Sequence, residues 1–292
     1  MTEQNEYGLT QDLGSLKFYQ IINIMSIDIV IGSVLSGACV VKIFNLNPGW
    51  AWWVVLPLSV WVVYTLDHLL DAVKLGENSH TLRHRFHFKH FKFITQVLIF
   101  VTLLIFAIVV FFLKREIIVF GMLTAFVCMI YLIVVYFKKN VTSNFLQKEI
   151  FVAFIYTIGI WGGPLSLLHN LHLTEALLLI VFFVAALIDI LIFSIYEMDS
   201  DALDHHNSFP IKYGEKFTIR IVYILCALAF AICIYQFIML PYGVIAVAFK
   251  ILMLMILILS ALLGFRQQLS KNNYYRTIGE LVFWLPGLIM LY

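Results

Sequence analysis

Charge is scarce in this sequence. Asp, Glu, Lys and Arg together supply 12% of its 292 residues, where a soluble domain uses about a quarter. Such a chain cannot cover itself with a water-facing surface, so a soluble globular protein is excluded. Cysteine is also sparse. The four present, Cys39, Cys128, Cys226 and Cys233, all lie in apolar runs with no metal-site or redox-motif spacing. They read as packing residues. The first 16 residues are polar and carry no cleavable signal pattern, so the first helix is expected to act as its own insertion signal.

What remains is hydrophobic: 62% of the residues, with a mean hydropathy of +0.96. Apolar runs near the length needed to cross a bilayer, about 20 residues, fall at 18–41, 50–71, 94–113, 117–137, 150–168, 176–197, 219–239, 242–264 and 275–292. In lipid each backbone N–H and C=O must be paired within its own segment, so the runs are expected to be helices. The last is the weakest, because Arg276 and Glu280 stand near its start and Pro286 interrupts it. The expectation is an all-α bundle of about nine spans, built as a single domain over residues 1–292.

Lys and Arg orient it. With the N-terminus inside, fifteen fall on the inner side and three, Lys42, Lys114 and Arg115, outside; Lys250 lies within a span. Positive residues accumulate on the cytoplasmic side. The expectation is an integral protein of a cytoplasmic-type membrane, with its N-terminus and long polar loops in the cytoplasm.

Two acidic clusters close spans two and six on that side. The first is Asp67-His-Leu-Leu-Asp71, whose i, i+4 spacing puts both carboxylates on one helical face. The second is Glu197-Met-Asp199-Ser-Asp201-Ala-Leu-Asp204. Carboxylates packed this closely need solvent, protons or cations. Mg2+ suits them: it takes oxygen ligands and is commonly held by one or two carboxylates together with substrate phosphate. A solvated helix end explains either cluster alone, but two at equivalent ends, in a chain with 17 acidic residues, favour a shared cation site. Basic residues nearby, Lys138, Lys139 and Arg83 foremost, can bind phosphate oxygens; topology signalling is the plainer role of each. Since acidic loops follow both spans two and six, an internal duplication of a four-helix unit is also suggested.

This pattern resembles the UbiA-type intramembrane prenyltransferases, which have nine spans and aspartate-rich motifs at the cytoplasmic ends of helices two and six. The family's first motif, N-D-x-x-D-x-x-x-D, is matched at Asp67 and Asp71 and replaced at Val63 and Tyr64. Its second is matched by Glu197, Asp199 and Asp201, followed by Ser208 and Gly214 at family spacing, with His205 where the family has Gly. Tyr131 through Lys139 is similar to a tyrosine–lysine pattern after helix four.

The resemblance implies an enzyme that transfers a prenyl group from a polyprenyl diphosphate to an aromatic or lipid-like acceptor. Asp67, Asp71, Glu197, Asp199 and Asp201 would be catalytic. Mg2+ would be held by Asp67, Asp71, Glu197 and Asp201, and the diphosphate by Lys138, Lys139 and Arg83. Its partners would be that donor, a lipophilic acceptor and membrane lipids, with no nucleic acid. The departures leave transferase, terpene cyclase and inactive member all open.

Two rival readings come from other residues. His80 and His84, His87 and His90, and the His205-His206 pair resemble the histidine boxes of membrane di-iron oxidases and hydroxylases, although the usual HxxHH box is absent. Asp28 and Asp189, placed within spans, are acceptor-binding or proton-removing candidates, or sites of a transporter.

Overall fold

The computed structural model describes residues 18–76, 81–137, 148–168, 170–203, 208–240, 242–270 and 274–292. Its elements are helices, as lipid requires: α1 (Phe18–Ile24), α2 (Ile27–Ile43), α3 (Trp50–Leu75), α4 (Leu82–Lys89), α5 (Phe91–Phe112), α6 (Arg115–Phe137) and α7 (Lys148–Leu165). There follow α8 (Leu173–Tyr196), α9 (Met198–Leu203), α10 (Phe209–Tyr213), α11 (Glu215–Met239), α12 (Val244–Gly264), α13 (Arg266–Leu269) and α14 (Tyr274–Val282). A 3-10 segment, Leu285–Leu291, ends the chain.

Six of these helices are long and apolar enough to cross a membrane: α3, α5, α6, α8, α11 and α12. The other three expected spans are built differently. The first is broken at Ser26, which adopts a left-handed φ of 56°, leaving a short α1 ahead of the 17-residue α2. The fifth, α7, has 18 residues and begins with two charged ones, Lys148 and Glu149. The last stops at Val282 and continues as the 3-10 segment with Pro286 in its first turn, because proline cannot donate the backbone bond an α-helix interior requires.

α8 is the centre of the bundle and packs on α7, α11 and α12. The residues turned toward those neighbours, Phe182, Ile188 and Ile192 among them, are fully buried. α2 packs on α3, α7 and the C-terminal segment, which in turn lies on α12. Against this core, α5 lies on α3 and α6 on α7. Both carry rows of exposed large side chains, Phe100, Phe106 and Phe111 on α5 and Met122, Leu123 and Phe126 on α6. In a membrane these are lipid-facing.

Small residues let the helices approach, since lipid offers no hydrophobic drive between spans and close packing must supply the attraction. A methyl group on Gly37 of α2 would lie 2.7 Å from the Trp52 ring, and one on Gly163 of α7 2.9 Å from the Trp52 indole nitrogen. Trp52 of α3 thus fills a slot formed by two glycines from two other helices. At the opposite end of the bundle from the acidic clusters lies an apolar cavity of about 10 Å³, lined by Cys39, Trp161 and Phe182 among others. That is room for roughly one water, which an apolar lining would not hold.

Candidate functional site

The C-terminal end of α3 carries the first acidic cluster. Asp67 and Asp71 are one helical turn apart, and between them His68 faces inward, 6% exposed. The chain then turns back, and α4 packs along α3. Its N-cap is Thr81, whose hydroxyl accepts from the His84 amide at 3.5 Å. On α4, His84 Nε2 lies 3.8 Å from Asp71 Oδ2.

Arg83 is turned into the bundle rather than toward solvent. One guanidinium nitrogen lies 3.2 Å from His68 Nε2. The other donates to the Asn23 backbone carbonyl at 3.1 Å and to Asn23 Oδ1 at 3.2 Å. The break at Ser26 matters here, because it ends α1 and presents the Asn23 carbonyl to Arg83. The Ser26 hydroxyl itself sits 3.3 Å from His68 Nε2. Burial, and then repulsion from Arg276, lower Arg83 to about 10. The residue expected to bind diphosphate thus uses its two terminal nitrogens on the protein, while its buried Nε has no partner among the described residues. Replacing Arg83 with Met is expected to cost about 3 kcal/mol of stability, because buried acceptors lose a charged donor. The check is thermal unfolding of detergent-purified protein. An unchanged midpoint would mean these bonds do not hold the fold and Arg83 is free for a ligand.

The second acidic cluster begins where α8 ends. Glu197 is the C-cap of α8, and its Oε1 accepts from Arg276 Nη1 at 2.6 Å and from the Tyr275 hydroxyl at 3.0 Å. Both partners come from α14. Asp199 and Asp201 lie on the short α9, where Asp199 is exposed and Asp201 half-buried. Burial, followed by the Glu197 charge, pushes Asp201 up to about 6, against the opposing effects of Ser208 and Lys148.

Lys148 joins the two clusters. It opens the apolar run of α7 with an exposed side chain, and the carboxylates of Asp67, then Asp71 and, more weakly, Asp201 raise its pKa above that of an ordinary lysine. Charges on α3, α7 and α9 thus act on one another at one end of the bundle. The next residue, Glu149, is 3% exposed. Its Oε1 accepts from the Phe209 amide at 2.5 Å and the Ser194 hydroxyl at 3.5 Å, tying the start of α7 to α8 and α10. α10 ends at Gly214, whose φ of 90° suits glycine and whose amide donates to the Pro210 carbonyl at 2.9 Å. The Ser208-to-Gly214 stretch read from the sequence is therefore this short helix and its turn.

Of the expected site residues, the structure brings Asp67, Asp71 and Asp201 into the field of one lysine. It commits Glu197 to Arg276 and Tyr275, and Arg83 to Asn23 and His68. Lys138 and Lys139 lie outside the described residues, as do His80, Asp204, His205 and His206. Sequence reading missed Glu149, Arg276 and Tyr275 as partners of the site and counted Lys148 only toward topology. The one signal available was the adjacent Lys148-Glu149 pair opening an apolar run.

Asp28 is expected within the first apolar run, 18–41. It lies in the first turn of α2, where Asn23 Nδ2 donates to it at 2.7 Å and the Ile29 amide at 3.0 Å. This position follows from the break at Ser26, and an acid in a first turn meets the positive end of the helix dipole. Asp189 is buried on α8. Lys250, within the twelfth helix, is exposed with its ammonium 5.1 Å above the Phe237 ring.

The oxygen donors suit Mg2+. Among the described residues no three His, Cys, Asp or Glu side chains come together as a metal-binding group, so an ion here needs ligands from a bound phosphate, as Mg2+ commonly does. Two histidines here, His87 of α4 and its C-cap His90, are oriented by backbone carbonyls. His87 Nδ1 lies 2.9 Å from the Arg83 carbonyl and His90 Nδ1 3.0 Å from the Phe86 carbonyl. Each of these nitrogens is therefore the donor of its ring.

Three comparisons bear on this arrangement. The sequence model of the UbiA prenyltransferase family matches residues 80–285. Among solved structures, a UbiA homologue from Archaeoglobus fulgidus, bound to GPP and Mg2+, superposes with a TM-score of 0.64 at 14% identity, covering 93% of this chain and 99% of that one. A digeranylgeranylglyceryl phosphate synthase superposes with a TM-score of 0.55, again at 14% identity, covering 93% and 94%. At such identities the likeness is one of fold. No curated protein matches the chain.

Proposed function

Since the chain belongs to the UbiA prenyltransferase family, we propose that it transfers a prenyl group from a polyprenyl diphosphate to an aromatic or lipid-like acceptor within the membrane. The observation that carries this reading is Lys148, whose charge is acted on by Asp67, Asp71 and Asp201 from two separated acidic motifs. One cationic point shared by both motifs is what a diphosphate site between them needs. By the Lys and Arg distribution, this end of the bundle faces the cytoplasm.

The residues divide the work. Asp67, Asp71 and Asp201 would hold Mg2+, which when bound offsets the charge of the leaving diphosphate. Lys148 stands beside them as a protein-borne cation for the same phosphate oxygens. As the C–O bond breaks, its electron pair leaves with the diphosphate and an allylic cation remains. Aromatic faces along the donor's path would stabilise that cation, and an apolar surround would exclude the water that would quench it. The acceptor then bonds to the cation and releases a proton.

The test is to incubate the purified protein with prenyl diphosphates of several lengths, Mg2+ and a membrane lipid extract. Diphosphate release should depend on Mg2+, and mass spectrometry should find a prenylated lipid or ring. A cyclised prenyl product would reassign the chemistry to terpene cyclisation. No release and no product at any chain length would overturn the reading.

A further inference from the structure

The second acidic motif opens with glutamate where the family has aspartate, and the structure shows where the longer side chain goes. Glu197 Oε1 meets Arg276 Nη1 at 2.6 Å and the Tyr275 hydroxyl at 3.0 Å. An aspartate on the same backbone would stop one methylene short of both. The partners are held in place by a closely fitted seam between α8 and α14. Tyr275 stacks on Tyr196 with centroids 4.1 Å apart and planes within 6°. The Arg276 guanidinium lies 5.5 Å above the Phe193 ring. A methyl on Gly279 would fall 2.6 Å from that ring and 2.7 Å from Asp189 Oδ1, so the helices touch at this glycine. The carboxylate sits at the C-terminal end of α8, where the helix dipole disfavours a negative charge. Arg276 relieves both the dipole and the partial burial, with the two side chains each about a quarter exposed.

We propose that Arg276 takes the place of a metal ion at Glu197: the glutamate is a positioning residue paired with a fixed protein cation, and among the described acids of the second motif Asp201 is the one that carries metal binding. This rests on the diphosphate-binding reading above and sharpens it. Asp199 does not share the load, because it is exposed and two residues from Asp201, hence on a different face of α9. Charge compensation at this motif thus comes partly from the last helix of the same chain, and the site needs correspondingly less Mg2+.

The experiment uses the full-length protein in detergent with Mn2+ as a spectroscopic substitute for Mg2+ and inorganic diphosphate as the phosphate ligand. Free Mn2+ is read by paramagnetic resonance, which requires no turnover. Asp201→Asn should weaken Mn2+ binding by about tenfold or more, the usual size for a metal-site residue. Glu197→Gln should change it far less, through the field of the lost charge alone. Arg276→Gln should tighten binding or add an ion, because it releases a carboxylate, whereas Arg276→Lys should resemble the wild type. A purely structural role for Arg276 would not tighten metal binding. If Glu197→Gln weakens Mn2+ as much as Asp201→Asn does, Glu197 is a metal ligand and the proposal fails. Should Arg276→Gln not fold, the Glu197→Gln and Asp201→Asn pair still decides. If neither Asp67→Asn nor Asp201→Asn changes Mn2+ binding, it is the diphosphate site itself that fails.

Discussion

Asparagine at Asp67 or at Asp201 is expected to cut Mg2+-dependent diphosphate release by about a hundredfold or more, the scale on which losing a preorganised electrostatic group acts. Asparagine keeps the shape and removes the charge, so the fold should persist while cation binding fails. The wild-type rate should also carry an acidic limb set by Asp201, which burial and Glu197 push up to about 6. The sign follows from the chemistry. A carboxylate holds a cation only when ionised, so the rate is present above that pH and is lost as pH falls through it. Mg2+ competes with the proton, so raising its concentration should move the limb to lower pH. Steady-state release of inorganic diphosphate across pH and Mg2+ concentration measures all of this. Wild-type rates in either variant would remove the residue from the mechanism. A limb near the ordinary carboxylate range at low Mg2+ would mean Asp201 is not enclosed as described.

Glu149→Ala should cost about 1–3 kcal/mol, since the part-buried Phe209 amide loses its acceptor. That bond, at 2.5 Å, is what ties the start of α7 to the segment carrying Ser208 and α10. Without it Lys148 and Asp201 lose their common anchor, and a misplacement of about 1 Å at a reacting centre commonly costs about a hundredfold in rate. Glu149→Gln preserves the acceptor oxygen and should recover most of both losses. Thermal unfolding separates the stability effect from the rate effect. If Glu149→Ala keeps both the unfolding midpoint and the rate, the second acidic motif is held by something else.

Much of this site is visible in the sequence because it depends on local spacing. Asp67 and Asp71 share a face through helical periodicity alone, and the short turn from Ser208 to Gly214 is fixed by residue type. The fates of Glu197 and Arg83 were not visible. Both were expected to face a ligand, and the structure gives each an internal partner: Arg276 and Tyr275 for one, Asn23 and His68 for the other. These partners lie 79, 78, 60 and 15 residues away. No periodicity links them, and only the α8–α14 seam and the break at Ser26 bring them within reach. The interruption of the last run at Pro286 was legible, but that its helix ends at Val282 and the remainder docks against α2 was not.

The sequence alone determined that the chain is a helical membrane protein. Lipid cannot satisfy an open backbone or tolerate scattered charge, so composition and run length leave no other architecture. Tertiary packing alone decided which charges remain available to a ligand. A buried ion is stable only beside a counter-charge or donor, and which one it meets depends on distances between helices that are remote along the chain.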